Sequence, residues 1–224
     1  MDRLRELGEE FRRVVLSQPG VLDAVLPPVI YLAARAAFGF GAAIASALVL
    51  AVLIGLLRLR RRQPLWFALA GVAAVLVAAL ISRFTGSEAG FFLPGIVSGA
   101  LTAVACLLSV ILRRPLVAWT SYLARRWPLA WYWHDRVRPA YSEVTLAWAA
   151  FFGLRTVLQY LLYRQNSGLL LAVLNLVSGW PATILLLVLS YLYGTWRLRA
   201  LGGPSVEEFK QASPPPWQSQ QRGF

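Results

Sequence analysis

The chain has 224 residues, 58% of them hydrophobic and 14% charged, with a mean hydropathy of +0.59 and a formal net charge of +12. Soluble globular chains run at about 45–50% apolar and about 25% charged residues, so this composition excludes an ordinary soluble domain and requires much of the apolar surface to face lipid. One cysteine, Cys106, and one histidine, His134, exclude a disulfide framework, a cysteine metal site and a multi-histidine centre within one chain.

Residues 1–20 come first. Leu4, Leu7, Phe11, Val14 and Val15 share one helical face, opposite arginine and glutamate. This pattern predicts an amphipathic helix lying on the cytoplasmic leaflet. Asp23 and the Pro27-Pro28 pair interrupt the apolar run that follows and argue against a cleaved signal peptide.

A spanning helix needs about 20 apolar residues. Segments 39–57, 63–82 and 90–112 meet that need without a charge, and 169–195 is also clean. Segments 21–38, with Asp23 and Arg35, and 143–163, with Glu143 and Arg155, are punctuated but apolar enough to offset about 2.5–3.5 kcal/mol per buried charge. The expected fold is therefore all-α, a polytopic membrane bundle of six transmembrane helices. Gly39 marks the first turn between spans, and Trp180-Pro181 a kink in the last. Gly95 and Gly99 form a Gly-xxx-Gly for close helix packing, and residues 83–90 form a turn rather than a phosphate loop.

Arginine placement sets the orientation, because cytoplasmic loops retain positive charge. Eighteen of the 22 Lys and Arg residues fall in the loops and termini on one side, two (Arg83 and Arg164) on the other, and two within spans. Both termini are then expected to be cytoplasmic. The basic balance reports topology and attraction to anionic lipid, not nucleic acid.

The cytoplasmic segment 113–142 combines six arginines with seven Trp and Tyr residues. Its plain explanation is an aromatic belt with snorkelling arginines, and 117–123 is short enough to lie in the interface. Its sharper explanation is a surface for anionic headgroups or a partner protein, with Arg113, Arg114, Arg125, Arg126, Trp127 and Trp131 as candidates. The tail 201–224, rich in Pro and Gln, is expected to be disordered.

Ionisable groups inside a membrane are functional candidates because lipid penalises them unless they find partners. Asp23, Arg35, Glu143 and Arg155 qualify, with Gln159 and Asn175 beside them. Acid and arginine lie 12 residues apart in each helix, or about 18 Å, so any ion pair must form between helices. Arg35 and Arg155 fall in the outer halves of their spans. They either line a cationic cavity for an anion or fix helix packing, with Arg155 bonded to Asn175 or to carbonyls.

The stretch from Thr85-Gly86-Ser87-Glu88-Ala89-Gly90 to Phe91-Phe92-Leu93-Pro94-Gly95-Ile96, with Arg113-Arg114-Pro115-Leu116, Thr145-Leu146-Ala147-Trp148 and Gly179-Trp180-Pro181, resembles an actinobacterial family of multi-pass membrane proteins catalogued as a domain of unknown function. More distantly, the order of loop, basic pair with Pro-Leu and Leu-Ala-Trp helix is similar to the intracellular septation protein A family. That resemblance implies a role in envelope integrity and division through contacts with other membrane proteins, with no catalytic residues to carry over. The extra aromatic and basic stretch between Leu116 and Tyr141 departs from that family. The expectation is a non-enzymatic envelope or cell-division support protein without a cofactor. The alternative is a small transporter or lipid-headgroup permease with an arginine-lined anion site.

Overall fold

The computed structural model describes residues 20–60, 65–220 and 223–224; the amphipathic segment expected over 1–20 lies outside them, apart from Gly20. Among the described residues the protein is helical, with no strand. The helices are α1 (Gly20–Phe38), α2 (Phe40–Arg60), α3 (Leu65–Thr85), a 3₁₀ turn (Glu88–Phe92), α4 (Leu93–Ile111), α5 (Leu116–Arg125), α6 (Leu129–Tyr132), α7 (Arg138–Arg164), α8 (Gly168–Ser178), α9 (Trp180–Leu201) and α10 (Val206–Lys210).

Four stretches are long and apolar enough to cross a membrane: Phe40–Leu57, Glu88–Ile111, Arg138–Arg164 and Gly168–Leu201. Two shorter apolar stretches, Val29–Phe38 and Leu69–Thr85, stand where further spans were expected, so four rather than six meet the length criterion among the described residues. Only 11% to 22% of the four candidate segments is buried within the protein. Leu101, Val104, Leu108 and Ile111 along α4, and Leu185, Leu187 and Leu189 along α9, are among the exposed side chains. An exposed apolar surface of that kind needs lipid as its solvent. Hydroxyls on these helices donate to carbonyls of their own helix, as Ser46 does to Ala43, Thr102 to Ser98 and Ser178 to Leu174. Hydrocarbon offers them no other partner.

Contacts divide the chain into two compact units, Met1–Pro94 with Gln159–Ala182, and Gly95–Leu158 with Thr183–Phe224. In the first, α1 packs on α2 and α8, α2 on α3, and the 3₁₀ turn on α3 and α8. The α1–α2 corner is one residue, Gly39 at φ +86°, as the small residues there predicted. Its core is Tyr31, Ala43, Ala47 and Ala172, with Phe91 and Phe92 packed against it. Tyr31 stacks on Phe91 at 5.6 Å and meets Phe92 edge-on at 5.8 Å.

The long apolar run after Arg164 is broken within the first unit at Gly179, close to the expected kink. A Cβ there would lie 2.5 Å from the Asn175 carbonyl oxygen, so this corner admits only glycine.

The second unit is built on Ala118, Trp131, Tyr132, Val137, Ala140, Tyr141, Leu198 and Val206. Trp148 Nε1 donates to Ser190 Oγ at 2.9 Å and ties α7 to α9. The tail departs from the expectation of disorder. Ser205 and Glu208 form a capping box at α10, Trp131 Nε1 donates to the Pro204 carbonyl at 2.9 Å, and Phe224 stacks on Tyr141. Composition misjudges this segment because Val206, Phe209, Trp217 and Phe224 find an aromatic surface already assembled by α5 to α7.

Candidate functional site

Arg35 occupies the last turn of α1. Its Nη2 donates to Glu88 Oε2 at 2.7 Å and Oε1 at 3.0 Å, and its Nε to Oε2 at 3.1 Å. Both side chains are about one-third exposed. The carboxylate comes from the 3₁₀ turn, where Ser82 Oγ donates to the Ser87 carbonyl at 2.8 Å and Ser87 Oγ bonds to Asn166 Oδ1. Gly168, the first residue of α8, leaves room for Glu88: a Cβ there would come within 3.0 Å of the Glu88 Cβ. The positive end of the α8 dipole faces the carboxylate side chain, which adds to the attraction. Sequence reasoning placed Glu88 only in a turn. The missed signal was that Glu88 is the sole acidic residue between Asp23 and Asp135.

Asp23 lies on α1, but its side chain is outside the described ones. Gln159, fully buried, donates through Nε2 to Asn175 Oδ1 at 2.9 Å, and Asn175 Nδ2 donates to the Leu171 carbonyl at 2.8 Å. The Gln159 Oε1 has no hydrogen-bond partner among the described residues.

In the second unit Glu143 accepts from Arg197 Nε at 2.7 Å, Arg197 Nη2 at 2.8 Å and the Tyr193 hydroxyl at 2.7 Å. Tyr193 and Arg197 are one turn apart on α9, so one helix face delivers both donors. Arg155 is half-buried on α7. Arg35 and Glu143 thus each pair with a group on another element, Glu88 and Arg197 respectively, in keeping with the 12-residue spacing that excludes pairing within a helix. An anion approaching Arg35 would have to displace its chelating carboxylate.

The basic aromatic segment belongs wholly to the second unit. Arg113, at φ +56°, ends α4, and Pro115 opens α5. The Ser109 hydroxyl accepts from the Leu116 N–H at 3.1 Å, and Thr145 Oγ1 from the Val117 N–H at 3.3 Å, which secures the α4–α5 corner. On α5, Ala118 and Ser121 face inward while Trp119 and Leu123 are exposed. Arg126 caps the helix in the left-handed region. Tyr132 and Ser121 share a hydroxyl hydrogen bond of 3.2 Å. Burial raises the Tyr132 phenol above its ordinary pKa, partly offset by Ser121 and Arg125.

The six headgroup candidates separate here. Arg113 and Arg126 are exposed, with no carboxylate partner among the described residues. The Arg114 guanidinium lies 4.4 Å over Trp133, and that of Arg125 4.9 Å over Trp127. Trp127 is half-buried. Trp131 is fully buried with its N–H taken by Pro204, so it is a core residue rather than a headgroup ligand. The tryptophan that faces outward is Trp119, which the candidate set missed.

Among the described residues no cluster of three or more His, Cys, Asp or Glu could hold a metal ion. The family model described as "Protein of unknown function (DUF3159)" matches residues 18–199, and the chain belongs to that family. No curated protein and no solved structure matches it.

Proposed function

We propose, from the four stretches long and apolar enough to cross a membrane, that the protein is a non-enzymatic, six-span component of the bacterial plasma membrane with both termini in the cytoplasm. It supports the cell envelope through contacts with other membrane proteins and through a basic, aromatic cytoplasmic face that holds anionic lipid. The resemblance to septation-type membrane proteins favours the envelope role, and the eighteen-to-two split of basic residues supports the threading.

One observation carries the lipid-binding part: α5 presents Trp119 and Leu123 outward, one turn apart, between the exposed cations Arg113 and Arg126. An apolar pair flanked by cations fits a helix sunk in the headgroup layer. Each arginine near an anionic surface contributes about 1 kcal/mol. In nanodiscs containing phosphatidylcholine and phosphatidylglycerol, the wild type is expected to retain phosphatidylglycerol selectively after dilution with detergent. Arg113→Gln with Arg126→Gln should reduce that selectivity, and an unchanged lipid ratio would refute the assignment.

The rival reading, a small transporter or headgroup permease, draws on a different place. An open cavity of about 450 Å³ in the first unit is lined by Phe40, Leu76, Leu80, Arg83 and Glu88 among others. Arg83 is exposed, with no partner among the described residues. Arg83→Gln that abolishes uptake of an anionic solute into proteoliposomes, with folding intact, would favour it.

A further inference from the structure

We propose that residues 203–220 with 223–224 form a displaceable latch that competes with anionic lipid headgroups for Arg125. The inference rests on the reading of the 113–142 face as a lipid surface and adds its regulation.

The latch is held to the body at its two ends and braced within itself at its middle. Near its start, Trp131 Nε1 donates to the Pro204 carbonyl at 2.9 Å. In its middle, the Ser205 N–H donates to Glu208 Oε2 at 2.7 Å and the Gln218 N–H to Glu208 Oε1 at 2.8 Å, while the Val206 N–H reaches Gln220 Oε1 at 3.3 Å. At its far end the Phe224 ring stacks on Tyr141 with centroids 4.3 Å apart and planes 9° apart. Gly194 also lies against that ring, in a space any Cβ would fill.

The same end occupies Arg125. Its Nε donates to the Phe224 carbonyl at 3.1 Å, and Gly223 lies so close to the guanidinium that a Cβ there would come within 2.5 Å of Nη1. Arg125 is nonetheless exposed and belongs to the cationic face described above. A phosphodiester oxygen makes a charge-assisted hydrogen bond with a guanidinium and can take the place of the Phe224 oxygen on Arg125. Headgroup and latch therefore draw on the same donor.

The Phe224 ring covers Tyr141, which is fully buried in the closed latch, and this contact lies beside the Arg125 donor that the competing ligand would take.

The test uses the full chain with Cys106→Ala and Ser219→Cys, since Ser219 is 7% exposed in the closed latch. Maleimide labelling is timed in nanodiscs of phosphatidylcholine alone and of an equal mixture with phosphatidylglycerol. The latch predicts several-fold faster labelling in the mixture. Phe224→Ala should make labelling fast in both lipids, and Arg125→Gln should make it independent of lipid. Equal rates for the parent protein in the two lipids, with Arg113→Gln and Arg126→Gln still lowering phosphatidylglycerol retention, would overturn the latch and leave the lipid surface standing. Loss of all lipid preference would overturn both.

Discussion

Arg35 and Glu88 lie 53 positions apart in the chain and meet in a bidentate ion pair, with N–O distances of 2.7 to 3.1 Å. The pair joins α1 to the turn that follows α3, so it helps close the first unit. Each partner is about one-third exposed, which places the interaction between a surface pair and a fully buried one. Arg35→Gln and Glu88→Gln should each destabilise the protein by about 1–2 kcal/mol, because each strands a partly desolvated charge. The double variant should cost less than the two singles combined. Thermal unfolding in detergent measures all three, and additive losses would mean that the two side chains do not stabilise each other.

Two glycines predict opposite outcomes. Alanine at Gly179 would press its Cβ against the Asn175 carbonyl at 2.5 Å, and backbone there cannot move away cheaply. Gly179→Ala should therefore lower stability by about 1–3 kcal/mol. Gly153 on α7 has open space where a Cβ would go. Gly153→Ala should raise stability by up to about 1 kcal/mol through helix propensity and a smaller unfolded ensemble. The two melting temperatures, compared with the parent, check the sign of each.

Local features were legible in the sequence and distant partners were not. Gly39 announces its corner because one glycine can reverse the chain between two apolar runs, and Trp180-Pro181 lies beside the real break at Gly179. The exclusion of pairing within a helix followed from rise per residue alone. Which partner each charge takes depends on how helices pack, and no local pattern encodes that Arg35 selects Glu88 or that Glu143 selects Arg197. Trp131 was misassigned for a related reason. In an arginine-rich segment near a membrane, tryptophan composition is the same for a belt and for a core, and only the Pro204 carbonyl distinguishes them.

Threading makes its own prediction. In a Cys106→Ala background, Gln165→Cys should react with an impermeant maleimide added outside intact cells, whereas Arg113→Cys should react only after permeabilisation. Both positions are exposed, so burial does not confound the comparison. The motive is the eighteen-to-two partition of basic residues between the loops and termini of the two faces. Reversed labelling would invert the topology, and reaction at both sites before permeabilisation would remove a span between them.

Acid should loosen the docked tail through Glu208. Its carboxylate accepts from the Gln218 and Ser205 backbone N–H groups, and those hydrogen bonds hold it below the ordinary glutamate value. A carboxyl whose folded pKa is depressed stabilises the folded state above its unfolded pKa, near 4.3, and loses that contribution as pH falls through the folded value. Tail docking should therefore be constant around neutrality and weaken below about pH 4. Glu208→Gln retains an acceptor oxygen but cannot titrate, so its docking should be weaker at pH 7 and flat across the acidic range. Trp217 reports the change directly: its Nε1 donates to the Ser213 carbonyl at 2.9 Å and its ring lies 5.4 Å from that of His134, so its emission should shift as the segment leaves. An emission profile identical in the parent and in Glu208→Gln below pH 4 would show that this carboxylate does not hold the tail.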